Sequence, residues 1–264
     1  MGETTKISWA GRTWNPWIGC RDVNECCDNC YARAMINRTR GKGAFDTVVR
    51  SKTWNDPIRW QKEAEREGRC DLVFTCSLSD FFIQDADEWR PAIWSIIRRT
   101  PNMIYQVLTK RPNLITARLP ADWAGGSNYK NVWLGTSIGM KKHLRALDAL
   151  REVPAYVRFI SAEPLLENLM PEFEPALVGY HWCIIGGESG NNTKNFRPMD
   201  HTWVREMFAA CTRRKVARFF KQSANVRTEM GVELDGRLVR EYPKQYDQYR
   251  DAVRSATSMF GRRV

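Results

Sequence analysis

Six short runs rich in β-branched and aromatic residues recur along the chain at nearly even intervals, and this recurrence limits the fold more than any other feature. They are Asp71–Cys76, Met103–Leu108, Asn131–Gly135, Ala155–Ile160, Trp182–Ile185 and Ala217–Phe220, with starts 32, 28, 24, 27 and 35 residues apart. A strand plus its return helix occupies roughly 30 residues. Helical segments are expected between them at Asp87–Arg99, Met140–Arg151 and Asp200–Arg214. In the second, Leu144, Leu147 and Leu150 form an apolar stripe. In the third, Asp200 or Thr202 suits the N-cap, and Arg213, Arg214 and Lys215 suit the C-terminal end. An earlier strand is expected around Ile7–Trp9, then a cysteine-bearing loop and a helix from about Cys30 to Arg38. No repeat, low-complexity tract or linker divides the chain. A single domain over 1–264 is therefore expected, with a core of about 5–225 and an extension of about 226–264. Six or seven such units make one parallel α/β sheet, either open and doubly wound or a full or partial (β/α) barrel.

The runs end in polar or glycine-rich residues: Ser77–Asp80, Thr109–Pro112, Thr136–Ser137, Ser161–Pro164, Gly186–Gly190 and Lys221–Gln222. In a parallel sheet these ends share one edge, where such folds carry their active sites. With 43% hydrophobic and 27% charged residues the composition is that of a folded globular protein rather than a disordered one. No apolar run approaches the roughly 20 residues of a membrane span, and Met1–Lys6 has no apolar signal core, so a cytoplasmic protein without membrane contact is expected. Lys and Arg number 41 against 30 Asp and Glu, a net +11 that favours a polyanionic partner. Arg33–Arg69 alone holds ten basic and five acidic residues.

Four of the eight cysteines fall within eleven residues, Cys20, Cys26, Cys27 and Cys30. Such clustering in an intracellular chain points to metal or redox chemistry rather than a disulfide framework. Cys70, Cys76, Cys183 and Cys211 are dispersed and read as small buried hydrophobes. Thiolates at Cys20-x6-Cys27-x2-Cys30 suit a [4Fe–4S] cluster with one iron open, because three cysteines have no nearby fourth ligand. Zinc is the alternative, though structural zinc usually takes four ligands. Cys26 is expected to be a bystander.

Asn15–Cys20, Cys27–Ala32, Leu108–Pro112, Ser161–Leu166 and Gly186–Gly190 resemble, in this order, a phage-associated branch of the radical S-adenosylmethionine (SAM) superfamily. Arg197–Met199, Phe219–Gln222, Asp235–Arg237 and Tyr242–Pro243 extend the resemblance, which spans about residues 5–243. It implies a partial (β/α)6 barrel whose cluster, on Cys20, Cys27 and Cys30, chelates SAM and reduces it to methionine and a 5′-deoxyadenosyl radical. Two departures stand out. The first cysteine gap is six residues rather than three, and Asn29 replaces the usual aromatic before the last cysteine, with Tyr31 just after it. Gly186–Glu188 looks like the superfamily's SAM-amine motif but follows a late strand, so that role is not carried over. Ser77, Ser79 and Asp80 are expected near the SAM amine, Lys110 or Arg111 at its carboxylate, Ser137 at the ribose, and Glu163 at the ribose or substrate. Glu188 and Lys221 are expected beside the substrate or paired with each other.

The function this implies is a radical SAM enzyme, fed by an external electron donor, that rearranges or modifies a base of DNA or a modified nucleotide. Amino-acid-decorated thymidine in phage DNA is the specific candidate. A DNA photoproduct lyase, a small-molecule or peptide enzyme, and a non-catalytic iron–sulfur or zinc module are the alternatives.

Overall fold

The computed structural model describes residues 5–190 and 194–260. In chain order its elements are β1 (Arg12–Trp14), β2 (Trp17–Ile18), α1 (Tyr31–Arg40), β3 (Val49–Arg50), α2 (Asp56–Glu67), β4 (Asp71–Thr75), α3 (Arg90–Arg98), β5 (Met103–Thr109), β6 (Val132–Ile138), α4 (Arg145–Arg151), β7 (Val157–Ala162), α5 (Phe173–Ala176), β8 (Trp182–Gly186), α6 (His201–Arg213), β9 (Ala217–Gln222) and α7 (Gln245–Phe260). Seven strands form one parallel sheet in the order β1-β4-β5-β6-β7-β8-β9. It curls into a half-barrel and leaves β1 and β9 as its edges. Seven strands fall within the six or seven units expected. β2 and β3 form a separate antiparallel pair that brackets the cysteine loop and α1 in the chain.

Alternation along each strand builds two cores. Tyr105, Val107, Leu134, Ile160, Cys183 and Ile185 pack with the helices outside the curl. Ile104, Trp133, Phe159, Trp182, Ile184 and Phe219 face inward. Trp182 is the hub of the inner layer, its ring 5.9 Å from Trp133, 5.8 Å from Phe159, 5.9 Å from Phe219, 6.2 Å from Trp9 and 5.2 Å from Tyr242. Tyr246 and Tyr249 of α7 close this floor from below.

The segment Ile7–Trp9 is a turn, and the first strand begins at Arg12. The Trp9 ring enters the aromatic floor, and its carbonyl accepts from Gln106 Nε2 at 3.0 Å, so this residue serves as a plug rather than a ladder member. Met140–Arg151 is likewise not one helix. Lys141–His143 forms a separate 3-10 turn because the Lys141 amide donates to Glu167 and His143 turns inward. The expected cap of α6 is present: Asp200 accepts from the Thr202 amide at 2.7 Å.

Small residues sit above the aromatic floor. A Cβ on Gly135 would lie 2.3 Å from the Phe159 ring, so only glycine lets that ring cross β6. Ser137, Ser161 and Gly186 follow at the same level or above it, leaving room towards the strand ends. Gly135→Val should therefore lower stability by about 1–3 kcal/mol by overpacking. Urea denaturation of the variant checks this; an unchanged midpoint would mean that the ring and strand adjust freely.

Candidate active site

The cysteine loop is built by tight backbone contacts. Gly19, at φ +105°, passes so close to the β3 side that a Cβ would sit 2.3 Å from the Thr47 carbonyl oxygen. The Cys20 amide then donates to Phe45 O at 2.9 Å. Asn24 caps the 3-10 turn Glu25–Cys27 by accepting from the Cys26 amide at 3.1 Å. Cys30 is the N-cap of α1. Cys20, Cys27 and Cys30 are half-buried, whereas Cys26 is buried, its Sγ 3.7 Å from His143 Nδ1 and 4.0 Å from Pro164 O. Gly139 is required there, because a Cβ would lie 2.6 Å from that sulfur. Burial pushes the Cys20 and Cys26 thiols up to about 11. Cys70, Cys76, Cys183 and Cys211 are all buried.

Asp80 organises the next ring of residues. It is buried, and its carboxylate accepts from the Phe82 amide (2.9 Å), Thr109 Oγ1 (2.7 Å), the Lys110 amide (2.9 Å) and Arg111 Nη1 (3.1 Å). Its backbone carbonyl accepts from Trp17 Nε1 at 3.1 Å. Arg111 also reaches Cys20 Sγ at 3.7 Å and donates to Arg21 O at 2.7 Å. Its guanidinium is thus committed to Asp80 and the cysteine loop. Burial works against the charge of Lys110, but Cys27, Cys26 and Cys30, with Asp80, outweigh it and raise its pKa. Lys110 is therefore the cation that looks onto the thiols.

The serines after β4 brace the loop. Asn15 Nδ2 donates to Ser77 Oγ at 3.0 Å, and Asn15 Oδ1 accepts from the Leu78 amide at 2.7 Å. Ser79 Oγ donates to Gly19 O. The Tyr31 hydroxyl donates to Ser77 O at 2.6 Å, although the residue is 42% exposed. Burial together with the negative potential of Cys30 and Glu163 raises its pKa. Ser137 is buried at the end of β6.

The three acid–base candidates separate into two pairs. Lys221 Nζ lies 2.8 Å from Glu163 Oε2, and Ser161 Oγ donates to Glu163 Oε1 at 3.2 Å. Glu188 does not meet Lys221. It is buried and takes Arg197 Nε at 3.1 and 3.2 Å, the Arg197 amide at 2.9 Å and Asn29 Nδ2 at 2.8 Å. Burial alone would raise its pKa; Arg197 and Asn29 reverse that and hold it low. The expected Glu188–Lys221 pair is corrected by the missing side chain of Gly186. A Cβ there would lie 3.0 Å from Glu163 Oε2, so glycine lets Glu163 reach across β8 to β9.

A cavity of about 760 Å³ lies elsewhere, beside α3. Its Arg98 and Arg118 already pair with Asp122 and Asp87, and it holds none of the thiols. Among the described residues no three His, Cys, Asp or Glu side chains converge tightly enough for a single metal ion. A four-iron cube is held differently, at its corners, with each thiolate on its own iron. In donor type and exposure Cys20, Cys27 and Cys30 suit that group.

A family model described as "Protein of unknown function (DUF5131)" matches residues 4–243. The chain belongs to that family. No curated protein matches it. Among solved structures, this DUF5131 chain is similar to a cysteine-to-serine variant of spore photoproduct lyase, at 16% identity and TM-score 0.46, over 69% of this chain and 57% of that one. A complex of that lyase with dinucleoside spore photoproduct gives 13% identity and TM-score 0.40, over 64% and 54%. A doubly substituted form with bound AdoMet and dinucleoside spore photoproduct gives 10% identity and TM-score 0.46, over 96% and 74%. The chain thus spans little more than half the length of the first two. Among its described residues no helix is long and apolar enough to cross a membrane.

Asn15, Asn29, His143 and Arg197 are structural contributors that the pattern of residue types did not single out. Asn15, Asn29 and Arg197 lie in recognisable motifs, but their partners are distant in sequence. Asp80→Ala should cost about 3–5 kcal/mol, since it strips a buried ion pair of one partner. Thermal or urea unfolding measures it; a loss below about 1 kcal/mol would mean that Asp80 does not hold these loops together.

Proposed function

We propose that this chain is a radical SAM enzyme acting on a nucleic-acid base, with amino-acid-decorated thymidine in phage DNA as its substrate and an external protein or small molecule as electron donor. The observation that carries the reading is the loop itself. Three half-buried thiols stand in one loop, the first of them 3.7 Å from Arg111 Nη1 just beyond the end of β5, while Cys26 turns inward. Cys20, Cys27 and Cys30 would hold a [4Fe–4S] cluster. With SAM bound, that group supplies an electron for reductive cleavage of the sulfonium and hence a carbon radical that takes a substrate hydrogen.

The chain's own residues divide the remaining work. Lys110 offers a charge-assisted contact to the SAM carboxylate, because Arg111 is committed to Asp80. Ser137 stands at the ribose. Tyr31, next to the last cysteine in sequence and hydrogen-bonded to Ser77 O, would border the cofactor. Lys221 can exchange Glu163 for a substrate carboxylate, freeing Glu163 to hold an amine or move a proton. The aromatic floor keeps water from the inner end of the site. A transfer of the amino acid's attachment from nitrogen to carbon balances internally, since the hydrogen removed first is returned last.

Ala at Cys20, Cys27 or Cys30 should abolish iron–sulfur absorbance after anaerobic reconstitution, whereas Cys26→Ala should keep it. In the absence of substrate, when no hydrogen is returned, loaded wild-type protein with dithionite and SAM should release 5′-deoxyadenosine; a loaded protein that releases none contradicts the reading.

The nucleic-acid part rests on charge. In the basic stretch Arg33 pairs with Asp22 and Asp46, Arg59 with Glu63, Arg66 with Glu67, and Arg69 with Glu67 and Asp71. Arg38, Arg40, Lys42, Arg50 and Lys52 are exposed and carry no ion pair among the described residues. If these five each meet a phosphate, affinity for duplex DNA should fall about 500-fold between 50 and 200 mM salt. Fluorescence anisotropy measures the slope, which Glu at Arg38, Arg40 and Lys42 should flatten. A slope unchanged in that variant would exclude this face as the DNA contact.

A further inference from the structure

Two residues that depart from the superfamily pattern, one in the cysteine loop and one beyond β8, meet in one contact. Asn29 stands where an aromatic is usual, and Glu188 belongs to a glycine-rich motif that follows a late strand. Asn29 Nδ2 donates to Glu188 Oε2 at 2.8 Å. The other residue between Cys27 and Cys30, Asp28, receives Arg197 Nη1 at 3.1 Å. Arg197 Nη2 donates to the carbonyl of Glu25, two residues before Cys27, at 3.0 Å. The Nε of the same guanidinium is on Glu188. Both spacer residues and the turn before them are therefore gripped by one ion pair at the end of β8. Glu188 is buried and Arg197 is half-buried, so solvent competes weakly for the bonds to Glu188, whereas Asp28 is exposed.

We infer that Glu188 and Arg197 are positioning residues that preset the separation of Cys27 and Cys30, and that neither touches the substrate. The inference builds on the cluster reading above in naming what the separation serves. The arrangement itself belongs to the chain without any cofactor. Arg is suited to this work because its planar fork directs Nε, Nη1 and Nη2 to three separate acceptors at once, which a lysine ammonium on a flexible stem does not reproduce. Asn29 makes the grip specific, since only a side chain with an amide donor at that position reaches the carboxylate.

Hydrogen–deuterium exchange of the metal-free protein tests this directly. In Arg197→Met, amides of residues 25–30 should exchange about tenfold faster or more, the loss expected from charge-assisted bonds. The rest of the chain should be unchanged. Arg213→Met, which breaks the surface pair with Glu174, is the control and should leave residues 25–30 as they were. Asn29→Ala removes the bond to Glu188 while leaving the Arg197 pair in place, and gives a milder version of the same effect should Arg197→Met fold poorly. After reconstitution, Arg197→Met and Arg197→Lys should both give a broadened electron paramagnetic resonance signal of the reduced cluster, and Asn29→Ala a smaller broadening. Unchanged exchange at residues 25–30 in both Arg197→Met and Asn29→Ala overturns the inference. Wild-type protein that takes up no cluster would defeat the cluster reading alone, and the exchange contrast would still decide the loop.

Discussion

A carboxylate removed from water must find its hydrogen bonds inside the protein, and Asp80 finds them on its own turn, at Phe82, and on Thr109–Arg111. Its side chain holds Thr109, the turn amide of Lys110 and the guanidinium of Arg111 after β5, while its carbonyl takes the indole of Trp17 ahead of the cysteine loop. Arg111 continues the chain of contacts to Cys20 and Arg21. The position of the first thiol, the direction of Lys110 and the ends of β4 and β5 therefore depend on one another. Unpairing such a group costs far more than its paired state contributes, so the set stands or falls together.

Beneath this ring, the parallel curl sorts side chains by height. Large aromatic residues fill the lower inner layer, where Trp182 touches five other rings, and small residues occupy the upper levels. Polar groups can then stand at the rim without an apolar neighbour filling the space between them. Gly186 illustrates the economy of this arrangement: its missing side chain is what allows Glu163 and Lys221 to meet across β8. Crowding of the opposite kind explains Cys26, whose sulfur occupies a slot defined by Gly139, His143 and Pro164.

Much of the scaffold was legible because its signals are local. Runs of β-branched and aromatic residues marked β4 to β9 to within a few residues, and polar residues marked where the strands end. Local signals also misled. Ile7–Trp9 has a strand-like composition, yet Trp9 is worth more as a plug on the aromatic floor than as a ladder residue. The short β1 at Arg12–Trp14 carries no alternation long enough to read, and α2 and α7 gave no expectation because charged residues dilute their apolar faces. In the site, residue types identified the thiols, Lys110 and Glu163, but pairing was not legible. Glu188 and Lys221 end neighbouring strands and carry opposite charges. Only the course of the chain shows that Arg197 claims the first and Glu163 the second. Ser77, Ser79 and Arg111, expected at SAM, have polar groups that brace the loop.

The account stands on a cluster held by three thiolates with one iron left for SAM. The most direct measurement is electron–nuclear double resonance on the reduced, reconstituted protein with SAM isotopically labelled at its carboxylate and amine. Coupling of both labels to the cluster is the predicted result, together with a Mössbauer spectrum in which one iron of four differs from the rest on adding SAM. A cluster with four equivalent protein ligands and no coupling to either label would contradict it.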